Sequence, residues 1–266
     1  MAVIGILTCE ILELEFASLL GADSEVGRVS VLENRQSARL ISLLEACSIR
    51  NLQRLPHVHA FSPEPTEAVE VLVRVLNMGL HRTRKVLQRA LVAAAHELRP
   101  HVNSLLLGYG LCGNALEDPN ALLDVDVPVI LPLDRGSPVD DCVALCLGGR
   151  DCYVAEQRET PGTFFLTPGW SRHWKRMLDP RSGEVAQPGL KRLLSNYERA
   201  LLVQTPALAD DELLRRGEEF SKITGLRLET RQGSMALLTE AWVAAKRSLR
   251  QDAATDNETS QRRVSP

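Results

Sequence analysis

The chain has no excess of positive charge: 31 Lys and Arg stand against 34 Asp and Glu, a formal net charge of −3 over 266 residues. Without a basic surplus there is nothing to neutralise a phosphate backbone or an anionic membrane. Nucleic acid and membrane surfaces are therefore not expected partners. A long apolar run is also missing. The opening "MAVIGILT" has no basic flank and meets Glu10 well short of a signal peptide or a membrane span, so it reads as a first strand in a cytoplasmic protein. Disulfide density is absent too, since six cysteines in this length make no framework, and without an export signal they are expected to stay free.

Familiar motifs are equally scarce. No CxxC pair, HxxxH spacing, Walker loop, GxSxG elbow or HExxH occurs, and "GYGLCGN" at 108–114, although Gly108, Gly110 and Gly113 have the G-x-G-x-x-G spacing, is not read as a dinucleotide fingerprint. What remains is an ordinary globular composition, 44% hydrophobic and 24% charged.

Apolar runs and helical stretches alternate along it. "AVIGILT" (2–8), "VNSLLLG" (102–108), "VPVILP" (127–132), "TFFLTPGW" (163–170, stopping at Pro168), "RALLVQT" (199–205) and "LRLETR" (226–231) read as strands. Helical spacing marks 35–47, 66–98 with a break near Gly79, about 210–223, and 234–249; a short strand is expected within the proline-rich 55–65. Such alternation implies crossover units and an α/β fold, a mostly parallel sheet flanked by helices and divisible into two Rossmann-like halves. The boundaries expected are 1–155 for a half carrying the cysteine loops, 156–249 for a second half, and a tail at 250–266 too polar to order itself.

Three cysteines follow strands: Cys9 ends the first, Cys112 lies in the loop after "VNSLLLG", and Cys142 comes ten residues after "VPVILP". Loops at the carboxyl ends of parallel strands line the crevice where ligands bind, so these three can converge. Converging thiolates are soft ligands for zinc or an iron-sulfur cluster, and three of them leave a coordination position open. The plainer alternative is that they are small core residues, which is the reading for Cys47 on an apolar helix face. Against it at Cys112 stand Gly110, Gly113 and Asn114, whose tolerance of positive φ suits a sharp turn and a close approach. Cys142 and Cys146 share a helix face only if that segment is helical.

Around this crevice Tyr109, Gly110, Gly113 and Asn114, then Arg135 and Asp141, then Thr167 and Trp170 are the candidate ligand-binding residues. Arg135 suits a carboxylate or phosphate and Asp141 a proton relay; a loop-stabilising bond or a solvated charge is the competing explanation for each. Cys112 as a nucleophile, with His57, His59 or His101 as base, is a further alternative.

The blocks "CEIL" (9–12), "LLLGYGLCGNAL" (105–116), "DDCVALCLGGRDCY" (140–153) and "GTFFLTPGW" (162–170) together resemble a bacterial and archaeal family known as domain of unknown function 1638, over roughly residues 3–245. The resemblance implies that Cys9, Cys112 and Cys142 are the recurring cysteines, and Cys47, Cys146 and Cys152 are not. It also implies a setting beside corrinoid-dependent methyl transfer, with a corrinoid protein or methyltransferase as partner. The chain departs from the family pattern where a Pro-Arg-x-His-Asp-Cys run would stand: "PLDRGSPVDDC" puts Asp141 at the histidine and displaces the arginine to Arg135. The expectation is then a metal- or iron-sulfur-binding protein built on three cysteines, accessory or catalytic in one-carbon metabolism; a non-catalytic carrier of a small ligand or corrinoid, and a thiol enzyme using Cys112, are the alternatives.

Overall fold

The computed structural model describes residues 2–47, 49, 51–66, 68–178 and 187–263, without the side chains of 187, 188, 191, 210 and 251–263. In chain order the elements are β1 (Val3–Cys9), α1 (Glu13–Ala22), β2 (Val26–Leu32), α2 (Ala38–Ala46), β3 (Leu52–Leu55), β4 (Val69–Leu76), α3 (Arg84–Leu98) and β5 (Ser104–Gly108). Then follow α4 (Pro119–Leu123), β6 (Val129–Ile130), the small hairpin β7 (Leu133–Asp134) and β8 (Ser137–Pro138), α5 (Cys142–Leu147) and α6 (Arg150–Glu159). The remainder is β9 (Thr163–Leu166), α7 (Pro168–Leu178), α8 (Gln187–Leu193), β10 (Arg199–Gln204), α9 (Asp210–Thr224), β11 (Arg227–Gln232) and α10 (Ala236–Arg263).

Six strands form one sheet in the order β3-β2-β4-β1-β5-β6, parallel throughout, and β11-β10-β9 form a second parallel sheet. The α/β expectation and its mostly parallel sheet are thus met. One expectation fails at the centre of the sheet. Residues 66–98 do not form a broken helix: their first part is β4, hydrogen-bonded between β2 and β1, and only α3 is helical. "VEVLVRVL" places valine at 69, 71, 73 and 75 and leucine at 72 and 76, an alternating, β-branched run suited to a strand covered on both faces. Its Glu70 is buried because Arg28 of β2 meets it at 2.7 Å. The short strand expected within 55–65 lies just before it, at β3, while 58–60 make a single 3-10 turn. The last helix continues to Arg263, through much of the segment whose composition suggested a tail; residues 264–266 of that segment lie outside the described residues.

Alternate side chains of each central strand go to opposite faces. Ile4, Ile6, Val71, Val73 and Leu106 pack against α1, α2 and α10, whereas Val3, Leu7, Leu72, Leu105 and Leu107 pack against α3. The order in which strands are added reverses about β1: one crossover leads from β1 to β2 on one side, and another leads from β4 past β1 to β5 on the other. This is the topological switch at which open α/β sheets leave a crevice at their carboxyl edge. Register sharpens the point. Cys9 lies opposite Leu76 and Thr8 opposite Gly108, so the loops beginning at Cys9, Asn77 and Tyr109 leave the sheet at one level. Among the described residues no helix is long and apolar enough to cross a membrane.

Candidate functional site

The loop 109–114 is shaped by its own neighbours. Leu111 N–H donates to the Val139 carbonyl at 2.8 Å and Cys112 N–H to Asp140 at 2.9 Å, so the loop lies along the segment entering α5. A Cβ on Gly110 would stand 2.5 Å from the Val139 carbonyl oxygen and 2.8 Å from the Asp141 nitrogen. The close approach expected of this glycine is therefore to protein backbone. Cys112, Gly113 and Asn114 then take consecutive positive φ values of 46°, 67° and 61°, a left-handed turn that turns Cys112 back toward α5.

Asp141 caps α5: its Oδ1 accepts from Val143 and Ala144 N–H, each at 2.9 Å. That cap fixes Cys142 as the first helical residue. Cys146 is on the same helix, as the four-residue spacing allowed, but is buried and donates toward Glu15 at 3.8 Å.

Cys9, Cys112 and Cys142 line one cavity of about 300 Å³. They come from the ends of β1, of β5 and from α5, and the convergence expected from strand ends occurs. Tyr109, Gly110, Gly113, Asp141 and Trp170 line it as well. Three other expected residues do not. Arg135 is exposed in the β7–β8 turn and pairs with Asp151 at 2.7 Å; Asn114 is exposed; Thr167 is buried and accepts the Trp170 N–H at 3.3 Å, shaping the start of α7.

The cavity also contains residues that strand-end reasoning missed, namely Asn77, Met78 and His81 from the segment after β4, and Met177 from α7. Reading 66–98 as helix hid the first three, because it removed the strand end from which they project. Their placement has a visible cause. Glu10, buried at 3% exposure, accepts the Met78 N–H at 3.0 Å and pairs with Arg176 at 3.2 Å, while Arg82 donates to the Met177 carbonyl. These bonds bind the β4 loop and α7 to the turn that follows Cys9. His81 Nδ1 bonds the Met78 carbonyl, which can only accept, so in the neutral ring Nε2 keeps its lone pair.

Burial pushes the Cys9 thiol up to about 12 and the Cys112 thiol up to about 11, and it holds Cys142 well above the ordinary thiol value. Negative charge on Cys112 would raise the other two further, which places the three sulfurs within electrostatic reach of one another. At neutral pH all three are protonated. The Trp170 side chain is positioned to hydrogen-bond Cys142. Tyr109 is 3% exposed, and its hydroxyl, beside Cys9 and Cys112, has no hydrogen-bond partner among the described residues. A buried hydroxyl left unpaired costs free energy unless a ligand or water completes it. Among the described residues no three His, Cys, Asp or Glu side chains are already grouped to hold a metal ion.

Of the histidines proposed as bases, none lines the cavity: His57, His59 and His101 cluster with Phe61 elsewhere, ring centroids about 6 Å apart.

Fold and cavity define a parallel α/β protein with a thiol-lined crevice at the switch point of its main sheet. The family model described as Protein of unknown function (DUF1638) matches residues 75–242, and the chain belongs to that family. No curated protein matches it. Among solved structures, that of N-acetyl-L-ornithine transcarbamylase is 16% identical over 84% of this chain and 66% of the other, at a TM-score of 0.20, a likeness too loose to inform the fold or the function.

Proposed function

We propose that the protein binds a soft metal ion, zinc, or an iron-sulfur cluster through Cys9, Cys112 and Cys142, and serves in one-carbon, corrinoid-linked metabolism as the family resemblance implies. The observation that supports this reading is the convergence of three thiols and one unpartnered Tyr109 hydroxyl on a single cavity. The donor set suits soft metals. Met78, Met177 and the Nε2 of His81 add thioether and imidazole to the three thiols. A bound metal would supply Lewis acidity or electron transfer, and Tyr109 could donate a hydrogen bond to whatever occupied an open position beside it.

The thiols are protonated and not yet grouped around one point, so binding would release protons and draw the loops together. The reading sets the protein in the cytoplasm, a reducing compartment in which its six cysteines stay free.

Anaerobic reconstitution with zinc, or with iron and sulfide, followed by metal and sulfide analysis, is the test. One metal centre per chain, lost in each of Cys9→Ser, Cys112→Ser and Cys142→Ser and retained in Cys47→Ser, is expected. A chain that takes up neither and still titrates as free thiols would overturn the proposal.

A second reading, a non-catalytic carrier of a small ligand or corrinoid, is favoured by the apolar residues among the lining. Catalysis by a Cys112 thiolate has less support, because burial keeps that thiol neutral and Asp141 opposes its ionisation.

A further inference from the structure

Beyond the thiol cavity lies a second, larger one of about 680 Å³, which shares Asp141, Val143 and Trp170 with it. Aromatic side chains are few in this chain, eleven in all, yet five of them line this cleft: Tyr153, Phe164, Phe165, Trp170 and Tyr197. The rings present several orientations. Phe164 meets Trp170 edge-on at 5.7 Å and Tyr197 at 5.3 Å, with interplanar angles of 90° and 74°, while Tyr153 stacks on Phe165 at 5.0 Å. Phe164 also stacks on Phe220 at 5.0 Å, so Trp170 and Tyr197 stand steeply inclined to a ring that is itself held in place.

The charge of the lining points one way. Asp141 is its one ionisable carboxylate, and no Lys, Arg or His is among the lining residues. Of the other polar groups, Gln157 and Asn196 can accept hydrogen bonds, whereas the Thr163 hydroxyl is already engaged by the Thr160 carbonyl and Arg199. Ring faces carry negative quadrupole potential, so aromatic walls and a carboxylate with no opposing base favour a positive guest over a neutral or negative one. Asp141 Oδ1 is taken by two backbone N–H groups, while no bond to Oδ2 is recorded among the described residues.

We propose that this cleft binds a small organic cation, an ammonium or sulfonium, with its charged centre among Trp170, Phe164 and Tyr197 and within reach of Asp141. The inference does not depend on a metal in the adjoining cavity. It does give Trp170 a place in both sites, lining the cleft and directing its N–H toward Cys142.

The test compares choline with 3,3-dimethylbutan-1-ol, its uncharged isostere, by calorimetry and tryptophan fluorescence on the full chain. Saturable choline binding, about tenfold or more tighter than the alcohol, is expected, since a desolvated cation–π contact is worth about that factor. Tyr197→Leu, at a position 38% exposed and so tolerant of change, and Asp141→Asn, which keeps the helix cap, should each weaken choline severalfold without altering the melting profile. Equal affinity for the two probes, binding of neither, or choline binding unmoved by both substitutions would overturn the assignment. Cys9→Ser separates the two proposals: it should abolish metal uptake and leave choline binding intact.

Discussion

Replacing Gly169 by alanine probes the contact that closes the thiol cavity. Gly169 is in the first turn of α7, against the turn that follows Cys9. An added Cβ would lie 2.7 Å from the Ile11 carbonyl carbon and 2.9 Å from its Cα, with the carbonyl oxygen closer still. Ordinary carbon contacts need about 3.5 to 4.0 Å, so one backbone must retreat by about 1 Å. No flexible side chain can absorb that. Overpacking typically costs about 1 to 3 kcal/mol, and backbone against backbone belongs at the upper end. In a protein of this size about 3 kcal/mol lowers the melting temperature by roughly 6 to 12 °C. The displacement would also loosen Glu10 from Arg176 and shift Trp170 away from Cys142, so metal uptake should fall along with stability. Circular dichroism melts of Gly169→Ala beside Gly189→Ala, where no atom lies within 4 Å of the added carbon, supply the measurement and its control. If the two variants melted within a degree or so of each other, the packing of α7 on the Cys9 turn would be wrong.

Two other perturbations address the polar interior. Burial raises the Glu15 carboxyl to about 7, with one oxygen unpartnered among the described residues, so the folded state holds its proton more tightly than the unfolded chain does. The corresponding stability is complete below about pH 4.5 and is lost as pH rises through 7; Glu15→Gln should therefore be near neutral at pH 5 and stabilise by about 2 kcal/mol at pH 8.5, as read from denaturant melts at the two pH values. Identical differences at both would refute the raised carboxyl. Arg199, 2% exposed, joins Glu156 at 2.8 Å, Glu229 at 2.6 Å and the Thr163 hydroxyl at 2.8 Å across the smaller sheet. Arg199→Ala leaves the buried Glu156 with only the half-exposed Arg231, 3.3 Å away, as an ion-pair partner among the described residues and should cost about 3 kcal/mol by urea unfolding, whereas Glu229→Gln, at the exposed end of the network, should cost about 1 kcal/mol or less.

How far the fold could be read from residues depended on where polar groups fell. β1, β5, β9 and β10 are uninterrupted apolar runs and were legible as buried parallel strands. β2 passed unnoticed because Gly27, Arg28 and Ser30 break its pattern, and Arg28 makes sense only beside Glu70 and Glu64 of a distant segment. β4 reads as part of a helix although its valines alternate, since the strongly helical stretch of α3 follows within eight residues. Reading β4 as helix conceals Asn77, Met78 and His81, three of the sixteen described residues that line the cavity, while Cys9, Cys112 and Cys142 are legible because each follows a strand that can be seen.

Local chemistry therefore determined the parallel α/β character, the turn at Cys112 and the position of three thiols at strand ends. Backbone propensity and the covering of strands on both faces act over a few residues and leave their mark in the chain. Only the tertiary structure decided that those thiols share a cavity with His81 and two methionines, that Gly110 receives backbone, and that Arg135 stands apart with Asp151. Such meetings depend on strand register and crossover direction, which join residues 68 or 166 positions apart, as Glu10 joins Met78 and Arg176. No short stretch of sequence carries that information, because it resides in how the strands are ordered.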